Sequence, residues 1–202
     1  NSSSPEGLVQ GMMAAAKIHE KYGAAVGIYR MDVGSAGYPT FDYVLRWDSG
    51  EDWAKTKESN FNEEWQAFWA QASQSPSGTM LMSLEGLNWN DSAKAADFAN
   101  DGPYRVYVWQ PNPGKSAAVY AAFTEAAKMH AAMGAKVNIY QEGVGGTGKV
   151  HYVLTFDDWA GMADFGDKGN ASEEFRFLQA AFADAATPIG SVQGEPLYYT
   201  GR

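Results

Sequence analysis

The chain of 202 residues contains no cysteine. That excludes disulfides, thiolate nucleophiles, iron–sulfur clusters and thiolate zinc sites. Basic residues are scarce too: 15 Lys and Arg stand against 24 Asp and Glu, a net charge of −9. Without a basic surplus there are few counterions to release from nucleic acid, and no Lys/Arg cluster marks an anionic membrane patch. No run approaches the roughly 20 apolar residues of a membrane-spanning helix. GxSxG, dinucleotide-binding and HExxH signatures are missing. Only His19, His130 and His151 supply imidazoles, and none stands at metal-ligand spacing from carboxylates. No metal and no cofactor is therefore expected. The chain opens Asn1-Ser2-Ser3-Ser4-Pro5, with neither Met nor an apolar signal core, as a processed, trimmed or incomplete chain does. Low lysine with abundant Gly, Ser and Asn favours an exported bacterial protein over a cytoplasmic one.

What is present is a globular composition, 45% hydrophobic and 14% aromatic. It also contains an internal repeat. Ala15-Ala16-Lys17-Ile18-His19 matches Ala126-Ala127-Lys128-Met129-His130 at an offset of 111. The match continues through Gly23/Gly134, Ala24/Ala135, Val26/Val137, Ile28/Ile139 and Tyr29/Tyr140. After a loop-length change it returns as Tyr43-Val44-Leu45 against Tyr152-Val153-Leu154, and then as Asp52-Trp53-Ala54 against Asp158-Trp159-Ala160. The gaps fall in Gly/Ser-rich stretches, where loops absorb them.

Each half reads as one plan. In the second, Tyr104–Gln110 is aromatic and β-branched, hence a strand. Lys115–Met133 follows as a helix with Val119, Phe123, Ala126 and His130 on one stripe. Gly134 closes it. Lys136–Glu142 and Lys149–Phe156 form a hairpin, and Asp157/Asp158 cap a helix opening at Trp159. That helix runs to about Ala186, interrupted near Gly166–Asn170, before a last strand Ile189–Tyr199. The order is β-α-β-β-α-β, the ferredoxin-like unit. The first half gives helix Leu8–Tyr22, strands Ala25–Met31 and Thr40–Asp48, helices Asp52–Ser59 and Asn62–Gln74, and strand Thr79–Leu87. Its opening strand is missing. The organisation expected is a first unit over 1–89, a linker over 90–103 with one helical turn around Ser92–Phe98, and a second unit over 104–202.

Two such units in tandem resemble the dimeric α/β-barrel superfamily, and the resemblance covers essentially the whole chain. Trp47-Asp48 before Trp53-Ala54, and Phe156-Asp157-Asp158-Trp159-Ala160, look like antibiotic-biosynthesis-monooxygenase-type domains. The resemblance implies an α+β fold in which two four-stranded sheets face each other inside an intramolecular barrel. Relatives include cofactor-independent oxygenases, haem-binding and haem-degrading proteins, and domains without known activity. The histidine common in the second helix of such enzymes is absent from both halves.

His19 and His130 lie on the apolar stripe of equivalent helices. Their position fits a buried, hydrogen-bonded histidine better than a ligand to haem. Alternation along the strands gives a second set. With Tyr43, Leu45, Trp47, Tyr152, Leu154 and Phe156 packed under the helices, Arg46, His151 and Thr155 point the other way. Tyr29, Asn138 and Tyr140 share that side, and Tyr107 and Trp109, or Arg105, join from strand Tyr104–Gln110. An aromatic cavity with a cation, an imidazole and amide or hydroxyl donors suits a small aromatic or carboxylate-bearing ligand. His151 is the candidate general acid/base, with Arg46 beside it. The same side chains equally serve as filling between two sheets.

Gly143-Val144-Gly145-Gly146-Thr147-Gly148-Lys149 contains a GxxxxGK core, but Val150 stands where a magnesium-ligating Ser/Thr is required. No helix N-terminus follows, so it reads as a hairpin loop. The acidic pairs Glu51-Asp52, Glu63-Glu64, Asp157-Asp158 and Glu173-Glu174 sit at helix starts, where carboxylates complement the dipole. Three functions follow as expectations: binding of a small molecule in the cavity, a cofactor-independent monooxygenase-like reaction, or assembly by strand addition at the first unit. The last includes a homo-oligomer formed through an unpaired sheet edge.

Overall fold

Pro5 opens the first helix, where its missing N–H costs nothing. In the computed structural model, which describes residues 4–34, 39–173 and 184–201, that helix is α1 (Pro5–Lys21). The elements that follow are β1 (Ala25–Val33), β2 (Thr40–Arg46), α2 (Gly50–Ser59), α3 (Glu63–Ala72) and β3 (Gly86–Asn88). A 3₁₀ turn at Ala95–Phe98 precedes β4 (Tyr104–Pro111), α4 (Ser116–Ala132), β5 (Lys136–Glu142), β6 (Val150–Thr155), α5 (Trp159–Ala171) and β7 (Ala186–Tyr199). The protein is thus a mixed α+β chain with seven strands and five α-helices among the described residues.

The chain forms two compact units that interleave along the sequence. One comprises Asn1–Leu81, Ser92–Asn100 and Gly194–Arg202; the other comprises Met82–Asp91 and Asp101–Gln193. The segment 82–89, expected in the first unit, therefore counts with the second, and 194–202, expected in the second, counts with the first.

In the first unit the strand order is β2-β1-β7, with β1 and β2 antiparallel in a register that places Ile28 opposite Tyr43. Val26, Ile28 and Ala16 are fully buried, and Ile18 beside Ala16 on the inner stripe of α1 is nearly so. Helix α2 is capped by Ser49, whose side chain accepts from Asp52 N, and α3 by Asn62, which accepts from Trp65 N.

In the second unit the order is β7-β4-β6-β5-β3, with antiparallel pairing of β4 with β6, β6 with β5 and β5 with β3. Val119, Phe123, Ala126 and His130 form the buried stripe of α4, at the spacing the sequence predicts. They meet Ile139, Val150, Tyr152, Leu154, Phe156, Met162 and Phe165 in one apolar core. Asp158 caps α5 by accepting from Gly161 N at 2.7 Å.

The glycines that end α1 and α4 are conformational necessities. Gly23 has φ +96° and Gly134 has φ +103°, values a side chain resists.

Two expectations are corrected. The strand expected over Thr79–Leu87 is reduced to Gly86–Asn88, which pairs with β5 in the second unit. Met80, Leu81 and Met82 are exposed, and an unbroken apolar run carries no alternation to choose a face. The break expected near Gly166–Asn170 comes slightly later: α5 runs through that stretch to Ala171, and Ser172 leaves it in an extended conformation, φ −84° and ψ 119°. An isolated glycine costs a helix only about 1 kcal/mol, less than packing returns. The remainder of that predicted helix, from residue 174 to 183, lies outside the described residues.

Candidate active site

Residues directly opposite in an antiparallel pair share a sheet face, and alternate residues along a strand change face. In the second unit Tyr107 faces Tyr152 and Trp109 faces Val150, so both join the helix-covered side. The Trp109 ring lies 6.1 Å from Phe123 of α4. The other face carries His151 in the middle of a row, with Tyr140 opposite on β5 and Val108 opposite on β4. Asn88 of β3 lies opposite Tyr140. In the next rows Asn138 faces Val153, and Thr155 faces both Lys136 and Tyr104. The structure therefore groups His151, Tyr140, Asn138 and Thr155, and it separates Tyr107 and Trp109 from them.

The sequence reading missed Glu142. This residue ends β5 on the same face as Tyr140, and its side chain is only 3% exposed. Glu142 Oε1 lies 2.9 Å from His151 Nε2. Its Oε2 accepts from Thr147 N at 2.7 Å, Lys149 N at 3.3 Å and Thr147 Oγ1 at 3.3 Å. The glycine loop thus donates its amides to an anion supplied by the chain itself. Gly145 and Gly148 hold positive φ, and a side chain at Gly146 would come 2.5 Å from Glu142 Cβ.

Burial opposes ionisation of Glu142. The hydrogen bonds from His151, Thr147 and Lys149 outweigh it and hold the carboxyl down to about 2. A carboxylate ionised at neutral pH only accepts, so His151 carries its proton on Nε2 and presents Nδ1 as the basic atom. Nδ1 has no hydrogen-bond partner among the described residues. With 25% of its side chain exposed, the ring is reachable from solvent. Asn88 Nδ2 donates to Asn138 Oδ1 at 3.2 Å, fixing that amide on the same face. Parity with Tyr140 on β5 was the one sequence signal pointing to Glu142. Asn88 was hidden in the strand whose limits the sequence misplaced.

In the first unit Arg46 is enclosed by aromatic rings. Its guanidinium carbon lies 4.3 Å from the centre of Phe98 and 5.6 Å from those of Tyr29 and Tyr199. Arg46 Nη1 donates to Tyr29 Oη at 3.0 Å. The Tyr29 ring lies against Gly27, and the Tyr199 ring against Gly201; a Cβ at either glycine would collide with the ring. These partners make Arg46 a packing cation within its own unit.

His19 and His130 are spent on tyrosines. Each Nδ1 lies 2.8 Å from a phenol, Tyr43 and Tyr152 respectively. Burial lowers both imidazoles to about 4, helped at His19 by the charge of Lys57, and burial pushes both phenols up. The pairs are neutral at physiological pH. Among the described residues no cluster of His, Asp and Glu is arranged to hold a metal ion, and no helix is long and apolar enough to cross a membrane.

No family model matches the chain, and no curated protein does. Solved structures do match. An anthrone oxidase-like protein aligns with TM-score 0.60 and 13% identity, over 99% of this chain and 89% of that one. A candidate monooxygenase from Fusobacterium nucleatum aligns with TM-score 0.65 and 10% identity, over 100% of this chain and 90% of that one. At such identities the likeness is one of fold.

Proposed function

We propose that this protein oxidises a small aromatic molecule with molecular oxygen, using His151 as the base. The observation that carries the reading is the buried Glu142 carboxylate on His151 Nε2 at 2.9 Å, on a polar face of the second unit's sheet. An ionised carboxylate fixes the ring's tautomer and stabilises the imidazolium that forms when Nδ1 takes a proton. The substrate class is a fused or phenolic aromatic with a methylene acidified by neighbouring carbonyl or phenol groups. His151 removes one methylene proton, and the carbanion's electrons pass to oxygen. In balance, one methylene group and one dioxygen molecule give one ketone and one water. The two methylene hydrogens leave in that water with one oxygen atom, and the other oxygen atom becomes the carbonyl. Tyr140 and the Asn138 amide stand on the same face to orient the substrate's oxygen atoms. The fold likeness to an anthrone oxidase-like protein and to a candidate monooxygenase supports this class of reaction.

The test is oxygen uptake with anthrone and electron-rich phenols, comparing wild type with His151→Ala. The account expects uptake in the wild type and a loss of at least about a hundredfold in the variant. Equal uptake in both overturns it.

A second reading is a carrier that binds such a molecule without turnover; the Asn138 amide and Tyr140 beside His151 favour it, since they offer orientation without chemistry. Ligand-induced thermal stabilisation with no oxygen uptake distinguishes the two.

We also read the two halves as tandem copies of one unit. The support is the paired His–Tyr contacts and the paired positive-φ glycines at the same places in the repeat.

A further inference from the structure

The GxxxxGK run of the second unit leaves one group unspent. Its amides at Thr147 and Lys149 go to Glu142 Oε2, so the place such a loop offers a phosphate is filled by the chain's own carboxylate. The Lys149 side chain is left over. Lys128, Lys136 and Lys168 of the same unit each meet a carboxylate. The Lys149 ammonium has neither an ion pair nor a hydrogen bond among the described residues, although the residue is half-buried.

The strand register brings this cation to the site. Gln141 stands opposite Val150, and one step further Glu142 N donates to Lys149 O at 2.9 Å, so Lys149 stands opposite Glu142. Lys149 therefore belongs to the same sheet face as His151, Tyr140 and Asn138, two residues and about 6.6 Å from His151 along the strand. The carboxylate across from it is engaged elsewhere: Glu142 turns Oε2 to the loop's amides and Oε1 to the imidazole. Arg46, the cation expected from the sequence, is spent on aromatic rings in its own unit. Lys149 is the cation that the His151 face does have.

We propose that Lys149 is a specificity-determining residue of this site and that it selects an aromatic substrate carrying a carboxylate. With the loop's amides filled, one ammonium answers one carboxylate, whereas a phosphate would need the several donors that Glu142 already holds. Lys149 takes no part in the proton transfer, which stays with His151 Nδ1; it fixes the charged end of the substrate one row away. This inference rests on the reading of the His151 face as the substrate site and adds the substrate's charge to it.

The probes are anthraquinone and an anthraquinone carboxylate, which have no methylene to oxidise. Each is titrated into wild type, Lys149→Gln and Lys149→Arg, with binding read by quenching of tryptophan fluorescence. The proposal expects wild type to bind the carboxylate about tenfold more tightly than the neutral quinone. The net charge of −9 acts against any anion, so such a preference has a local source. Lys149→Gln removes the preference, and Lys149→Arg keeps most of it. No binding of the carboxylate, equal affinity for the two quinones in wild type, a preference that survives Lys149→Gln, or one that is lost in Lys149→Arg overturns the proposal. Oxygen uptake with anthrone reads the oxidation chemistry separately: a protein that shows the Lys149-dependent preference and takes up no oxygen fails that chemistry and satisfies this inference.

Discussion

His151 Nε2 and Glu142 Oε1 stand 2.9 Å apart on one face of the second unit's sheet, and the carboxylate is further held by two amides of the glycine loop. The imidazole is thereby committed to one tautomer. Glu142→Gln keeps the shape and removes the charge that fixes it. The account expects oxygen uptake to fall by about ten- to a hundredfold, with His151→Ala at least as low. Steady-state oxygen consumption with anthrone checks this, and a Glu142→Gln variant as fast as wild type contradicts it.

Glu142 also links stability to acidity. Its carboxyl is held at about 2 in the folded protein, below the 4.5 of a free side chain. The stabilisation is therefore fully present above about pH 4.5 and is lost as pH falls toward 2. Thermal unfolding between pH 5 and 2.5 should fall less steeply for Glu142→Gln than for wild type. At pH 7 the variant is expected to be less stable by about 1–3 kcal/mol, the usual cost of weakening a buried hydrogen-bond acceptor.

The histidines under the helices give a second acid limb, in a different window. His19 and His130 are lowered to about 4 from 6.5, so between those values the unfolded chain binds more protons than the folded one. Their contribution is full above about pH 6.5 and is lost as pH falls through 6.5 toward 4. His130→Gln should flatten the dependence of Tm on pH across that range. A wild-type Tm that stays constant from pH 7 to 4.5 contradicts the neutral His–Tyr pairs.

Much of this architecture is legible in the sequence alone. The α4 stripe Val119, Phe123, Ala126 and His130 can be read because a helix with one buried face repeats every 3.6 residues. Asp158 and Gly134 can be read because capping and positive φ each demand particular residues. The site is only half legible. Alternation places His151, Tyr140 and Asn138 correctly on one face, but the face of Tyr107 and Trp109 depends on register with β6, which no single strand's pattern reveals. Glu142 stays hidden because an acid next to a glycine loop reads as an exposed charge until its partners are seen.

The aromatic enclosure of Arg46 yields a stability prediction. A Cβ at Gly27 would run into the Tyr29 ring, so Gly27→Ala must displace the ring that Arg46 leans on. The expected cost is about 1–3 kcal/mol by urea unfolding. Arg46→Ala should lose a similar amount through three ring contacts and one hydrogen bond. Gly114, with open space around it, has no such ring to move.

The most direct measurement of the central claim is the fate of oxygen-18 gas supplied with anthrone to wild type and to His151→Ala. If His151 generates the carbanion that oxygen captures, the wild-type ketone carries label from the gas, and the variant, folded to the same Tm within a few degrees, yields almost none. Label drawn from water, or labelled product formed equally by both proteins, contradicts the account.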